Sequence, residues 1–254
     1  MGIGWLVIAT IFALAGGVFG WLSVRKGDTS PSAFFWMLGA FGAQLMALGW
    51  RGELRGQCPL NDVGEICLFL AWSMTFFYLV TGTTYRLSLL GTFSVPLVIV
   101  LQVIALVPGA FSDAPVRAKS VDAWREFHAA FSVLSYGALA LSAVAGFMFL
   151  VLNHRLKSHH FKGGLVHGMP SVHRLVTAMG RITLVGWIVL TVGVASGMMM
   201  ETGEMNAHLL VATATWVLYA VLLGVYFIRG LPGRQLAWGV LVLFIVSLLV
   251  FAKL

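Results

Sequence analysis

Eight apolar stretches, each long enough to cross a bilayer, follow one another through this chain and leave little between them. They run approximately over residues 3–24, 33–50, 65–83, 87–107, 126–152, 180–200, 208–228 and 235–252. A spanning helix takes about 20 apolar residues. Inside lipid every backbone polar group must find its partner within the element, which leaves helices or closed barrels. Barrel strands would read as alternating segments of about ten residues, and these runs are continuous. The expectation is an all-α, polytopic helix bundle of about eight transmembrane helices, forming a single transmembrane domain over residues 1–254. Composition agrees, with 59% hydrophobic residues, 10% charged residues and a mean hydropathy of +0.94. A soluble domain carries roughly 25% charged residues. The first run, from Gly4 to Val24, is followed by Arg25 and Lys26. A cleaved signal peptide would carry its charge ahead of the run and a small-residue site behind it, so a retained span is expected.

Basic residues set the expected direction. The loops after odd-numbered spans hold ten: Arg25, Lys26, Arg86, Arg155, Lys157, Lys162, Arg174, Arg181, Arg229 and Arg234. The loops after even-numbered spans, with the last residues, hold six: Arg51, Arg55, Arg117, Lys119, Arg125 and Lys253. Lys and Arg accumulate on the cytoplasmic side, so both termini are expected on the outer, periplasmic side of an inner (plasma) membrane. The net charge of +7 and pI near 9.9 then report orientation in a lipid bilayer, and a nucleic-acid partner is not expected.

Three loops are long. The 51–64 and 108–125 loops fall outside, the latter with room for a short surface helix ending at Trp124. The 155–179 loop falls in the cytoplasm, with His154, His159, His160, His167 and His173 in or beside it. The spacing of His154, His159 and His160 does not put all three on one helical face, and five nearby basic residues would repel a divalent cation. A solvated loop attracted to anionic lipid headgroups is the alternative reading. Cys58 and Cys67 form no CxxC motif, so neither thiol–disulfide chemistry nor covalent haem attachment to this chain is expected.

Ionisable groups inside a bilayer are costly and mark function. Buried charge is nearly missing from the spans, and no internal repeat is evident, which disfavours an ion-coupled transporter. The polar groups gather instead at the outer helix ends. Glu65 opens the third span behind Asn61 and Asp62; Arg125, Glu126 and His128 open the fifth behind Trp124; Glu201 and Glu204 close the sixth, and His208 opens the seventh. Two histidines at helix mouths on one membrane face suit bis-imidazole haem ligation, or a metal site completed by carboxylates. A histidine at a helix entrance also serves as a cap or an interfacial group, and Trp50, Trp124, Trp187, Trp216 and Trp238 also serve as belt or packing residues. Gly193 and Gly197 form a GxxxG spacing suited to close helix contact.

Three stretches together resemble the cytochrome c assembly membrane-protein family, the group that includes CcsA of the system II haem pathway and the HemX-like proteins. Cys58-Pro59-Leu60-Asn61-Asp62-Val63-Gly64-Glu65, with Phe69-Leu70-Ala71-Trp72-Ser73, is similar to the family's "PLxNxxE…FLxWS" entry into an early helix. Trp124 to Tyr136, with His128 and Leu134-Ser135-Tyr136, resembles its "H…LSY" helix. Thr215-Trp216-Val217-Leu218-Tyr219, then Arg229-Gly230 and Gly233-Arg234, resembles its "TWxxYA…RGxxGR" passage. The likeness covers roughly residues 50–252.

The resemblance implies a membrane protein that binds or escorts haem during cytochrome c maturation, with other cytochrome c assembly proteins and apocytochrome c as partners. It implies His128 as an external haem-iron ligand, with His208, or a methionine among Met198–Met200 and Met205, as the second. Trp124 and Glu65 complete the expected cofactor-binding set. The chain departs from the family where the tryptophan-rich "WGxxWxWD" motif would stand, since Met199-Met200-Glu201-Thr202-Gly203-Glu204-Met205-Asn206 occupies that place. The family's intramembrane histidine would fall near Gly224, and its second external histidine beyond Leu254. Haem attachment is therefore expected to need a partner that carries these elements. The alternative is a non-catalytic scaffold or regulatory subunit of a haem-pathway complex.

Overall fold

The structure, a computed structural model, describes residues 2–26, 32–85, 88–112, 123–157, 171–200 and 207–248. Among the described residues it is helical apart from short connections, with no strand. The helices are α1 (Gly2–Lys26), α2 (Ser32–Arg55), α3 (Val63–Tyr85), α4 (Ser88–Leu106), α5 (Ala123–Lys157), α6 (Val172–Met198), α7 (Ala207–Val225), a π turn (Tyr226–Gly230) and α8 (Gly233–Ser247). The first seven are long and apolar enough to cross a membrane, and α8 is a shorter apolar helix of 15 residues that leads to the undescribed end. The chain is a multi-pass helical membrane protein.

Helix α6 begins at Val172, about two turns ahead of the apolar run expected from residue 180. His173 and Arg174 are exposed on those turns while Leu175, Ala178 and Met179 are buried, so the amphipathic extension is held by packing rather than by lipid. His154 closes α5, whereas His159, His160 and His167 lie outside the described residues, as do Glu201, Glu204 and Met205 and residues 113–122 of the expected surface helix.

The chain divides into two compact units. In the first, α1 to α4 pack as an antiparallel four-helix arrangement in which each helix meets its sequence neighbours and α4 returns to α1. Gly2 lies against Trp50 and Gly16 against Met37, which sets α1 antiparallel to α2. Phe41 of α2 stacks on Trp72 of α3 with ring centroids 5.6 Å apart. Leu6, Ala47, Leu48, Leu68 and Ala105 form one core layer with a residue from every helix.

The second unit holds α5 to α8. Helix α5 is its hub, packed against both α6 and α8. Small residues permit the close approach. A methyl on Gly186 would come within 2.8 Å of Leu139, and one on Gly146 within 2.9 Å of Val240. Trp187 and Trp216 stack at 5.3 Å, and each indole N–H donates across the α6–α7 seam, to Trp216 O at 3.1 Å and to Thr191 Oγ1 at 2.7 Å respectively. These donors would otherwise be unmet in hydrocarbon. The π turn ends at Gly230, whose φ of +69° favours glycine, and Pro232 then precedes α8.

Candidate functional site

In the second unit, His128 sits in the second turn of α5 and is half-buried. Its Nδ1 lies 2.7 Å from the carbonyl oxygen of Gly193 on α6. A carbonyl can only accept, so Nδ1 carries the proton and donates it. In the neutral ring the lone pair is then on Nε2, for which the described residues provide no partner. A ligating histidine is commonly oriented in this way, with one nitrogen tied to a backbone carbonyl and the other presented to a metal.

The two glycines of the GxxxG pair form the seat. A methyl on Gly197 would come within 2.6 Å of His128 Nδ1, and one on Gly193 within 3.0 Å of Ser132 Oγ. Any side chain at either place would push α5 off α6 or turn the imidazole out. The same methyl on Gly197 would come within 2.8 Å of Leu209 Cδ1, so the first turn of α7 reaches the imidazole as well. The start of α5, the end of α6 and the start of α7 thus converge.

Trp124 stands four residues before His128, on the same face of α5 and one turn away, and is exposed. Phe127 is exposed beside it and stacks on Phe131 at 6.0 Å. Met198 and Met199 are exposed at the end of α6, directly after Gly197. His208 occupies the first turn of α7, next to Leu209, and its side chain lies outside the described residues. An imidazole with Nε2 available, an aromatic ledge and two thioethers suit a flat, apolar, iron-bearing ligand. No group of three or more His, Cys, Asp or Glu side chains able to hold a metal ion occurs among the described residues.

Glu65 belongs to the first unit and is fully buried there. Its Oε1 accepts from Arg51 Nη2 at 2.7 Å, Arg51 Nε at 3.0 Å and Arg55 Nε at 2.9 Å, while Oε2 accepts from the Asn61 N–H at 3.0 Å. Arg55 also pairs with Asp62, whose Oδ2 accepts from the Ser112 N–H at 2.8 Å. The carboxylate is thereby committed to a clasp that ties the last turn of α2 to the first turn of α3 and to the turn after α4. Each charge also suits its helix end, bases at a C-terminus and acids at an N-terminus. Sequence reading singled out Glu65 but not its partners Arg51 and Arg55. Their signal was a basic pair four residues apart, facing an acidic pair three apart across a short loop.

The chain matches the family described as "Cytochrome C assembly protein" over residues 60–252, well over half its length. It belongs to that family. Among its curated relatives are the proteins named cytochrome c biogenesis protein CcsA of Chlamydomonas reinhardtii, 26% identical over 73% of this chain, of Mesostigma viride, 21% identical over 76%, and of Synechococcus sp. (strain RCC307), 26% identical over 81%. The chain spans about half the length of the first, 54%, and 72% and 75% of the other two. In this cytochrome c assembly protein the three family-like stretches fall on α3, on α5 and on α7 with the π turn. The imidazole seat joins the second of them to α6 and to the start of α7.

Proposed function

We propose that this chain handles haem during cytochrome c maturation, and that His128 binds the haem iron through Nε2. The observation that carries the reading is the 2.7 Å hydrogen bond from Nδ1 to Gly193, which fixes the tautomer that leaves Nε2 basic. Membership of the cytochrome c assembly family supports it. Trp124 and Phe127 would lie against the macrocycle, and Met198, Met199 or His208 would offer the iron a second ligand. Haem, when bound, supplies the iron porphyrin that is to be passed to apocytochrome c. The chain's own residues bind it, orient it and keep it at one end of the second unit. Attachment to the apocytochrome falls to other assembly proteins. We place the chain in the inner membrane with its N-terminus outside, on the count of basic residues by loop.

The test is a reduced-minus-oxidised spectrum of detergent-purified protein titrated with haem. A Soret shift is expected for the native chain and its loss for His128→Ala. No shift, or a shift untouched by that substitution, ends the reading.

A further inference from the structure

The carbonyl oxygen that orients His128 has a second side-chain donor. Ser196 follows Gly193 by three residues on α6 and is 5% exposed. Its Oγ lies 2.9 Å from Gly193 O and 2.9 Å from Val192 O. A serine hydroxyl carries one proton to donate, and at that burial water does not compete for it. The proton is therefore shared between the two carbonyls.

Neighbouring hydroxyls behave differently. Thr183 and Thr191 of the same helix each donate to the carbonyl four residues back, Met179 O at 2.9 Å and Trp187 O at 2.8 Å, the ordinary way for a hydroxyl to be satisfied inside a helix. Ser196 reaches the carbonyl three residues back as well, and that is the one His128 Nδ1 uses at 2.7 Å. Ser132 of α5, one turn after His128, also lies beside Gly193: its Oγ is 3.0 Å from where a methyl on that glycine would stand. That oxygen is buried with no hydrogen-bond partner among the described residues. Proximity to the seat alone thus does not bring a hydroxyl onto the shared carbonyl.

A carbonyl oxygen has two lone pairs, and a helical one is also the ladder acceptor for the N–H four residues on. The imidazole and the hydroxyl therefore draw on one limited supply of electron density. A hydroxyl turned toward Gly193 O weakens the acceptor that Nδ1–H meets, and a hydroxyl turned toward Val192 O restores it. The bond at Nδ1 governs how basic the ring is at Nε2. Hydrogen bonding behind an axial ligand is one of the levers a protein has on the potential of haem iron.

We propose that Ser196 is a positioning residue that sets the electron-donating strength of His128 through the shared Gly193 carbonyl. The inference rests on haem ligation by His128. By loosening the Nδ1–H bond the hydroxyl makes the imidazole a weaker donor, which favours the ferrous over the ferric ion and leaves bound haem easier to reduce. The effect is on the strength of the ligand and not on whether it is in place, so haem uptake does not depend on Ser196.

The full chain, isotope-labelled at its histidine nitrogens, is purified in detergent without haem, and the imidazole N–H resonance of His128 is identified as the signal that His128→Ala lacks. Ser196→Ala is expected to move that resonance to lower field, as the bond to Gly193 O tightens, and Ser132→Ala is expected to leave it in place. With haem added, Ser196→Ala is expected to take it up as the native chain does, to lower its reduction potential and to raise the iron–imidazole stretching frequency. An unmoved resonance in Ser196→Ala overturns the proposal. So does a Ser132→Ala protein that shifts resonance and potential equally, since the effect would then be one of packing at the seam. A native chain that takes up no haem ends the haem reading and the effect on iron with it, whereas haem bound through His128 at an unaltered potential in Ser196→Ala ends this inference alone.

Discussion

His128 and Gly193 are joined by a hydrogen bond of 2.7 Å from the imidazole Nδ1 to a main-chain carbonyl on the neighbouring helix. The acceptor belongs to a backbone packed into α6, so the ring's orientation depends on how closely α5 and α6 approach. That approach depends on Gly193 and Gly197.

Gly197→Ala should therefore behave as a haem-site variant although glycine offers no ligand. The new methyl would meet Nδ1 at 2.6 Å and Leu209 at 2.8 Å, closer than real side-chain carbons approach. Displacing the orienting partner of a ligating histidine costs about 10–100-fold in metal affinity. Haem titration of Gly197→Ala beside native protein should show a loss in that range, with helicity by far-ultraviolet circular dichroism unchanged.

Removing the charge of Glu65 should destabilise the first unit. Glu65 is 0% exposed and Arg55 and Arg51 are 2% and 11% exposed at their side chains, so solvent does little to screen the pair. Glu65→Gln leaves two buried guanidinium groups facing one carboxylate, Asp62. Breaking a buried pair on one side costs about 3–5 kcal/mol. Denaturant unfolding in detergent should show a loss near the lower figure, because Asp62 and Ser112 still engage both arginines. A haem spectrum like that of the native chain would separate this clasp from haem ligation.

Gln44 and Gln102 should respond in the opposite direction. Both are fully buried in the first unit, and neither amide has a hydrogen-bond partner among the described residues. A buried amide left unmet costs about 1–3 kcal/mol. Gln44→Leu and Gln102→Leu keep the approximate volume and remove that cost, so each should leave Tm in detergent unchanged or raised. A fall of more than a few degrees for either would show that the amide is satisfied in the folded protein.

Crowding Gly146 should loosen α8 from α5. A methyl there meets Val240 at 2.9 Å and the main-chain oxygen of Ala237 at 3.1 Å. The second contact is backbone and cannot rotate away. Gly146→Val should cost about 1–3 kcal/mol, and limited proteolysis should cut near the Gly230–Gly233 turn sooner than in native protein.

Much of the site was legible before any coordinates. The mouth of α5 announced itself through Trp124, Glu126 and His128 because polar groups beside an apolar run have few explanations. The GxxxG pair was legible as a contact, but its role as the seat of an imidazole was not, since that depends on a residue some 65 positions earlier in the chain. Glu65 stood out as a charge at a helix start. That Arg51 and Arg55 both donate to its Oε1 while the Asn61 N–H takes Oε2, leaving the carboxylate buried, follows only from the turn that folds α3 back on α2.

The amino-acid sequence alone determined the helical class, the number of apolar runs and their approximate limits. Lipid demands that each span satisfy its own backbone, and a local pattern of about twenty residues is enough to show that. Which faces meet, which nitrogen of His128 donates to Gly193, and how Gly193 and Gly197 seat the imidazole were decided only by tertiary structure. Those properties depend on interhelical distances of a few ångströms, set by glycines, aromatic stacks and buried ion pairs between residues far apart in the chain, and hydropathy carries no record of them.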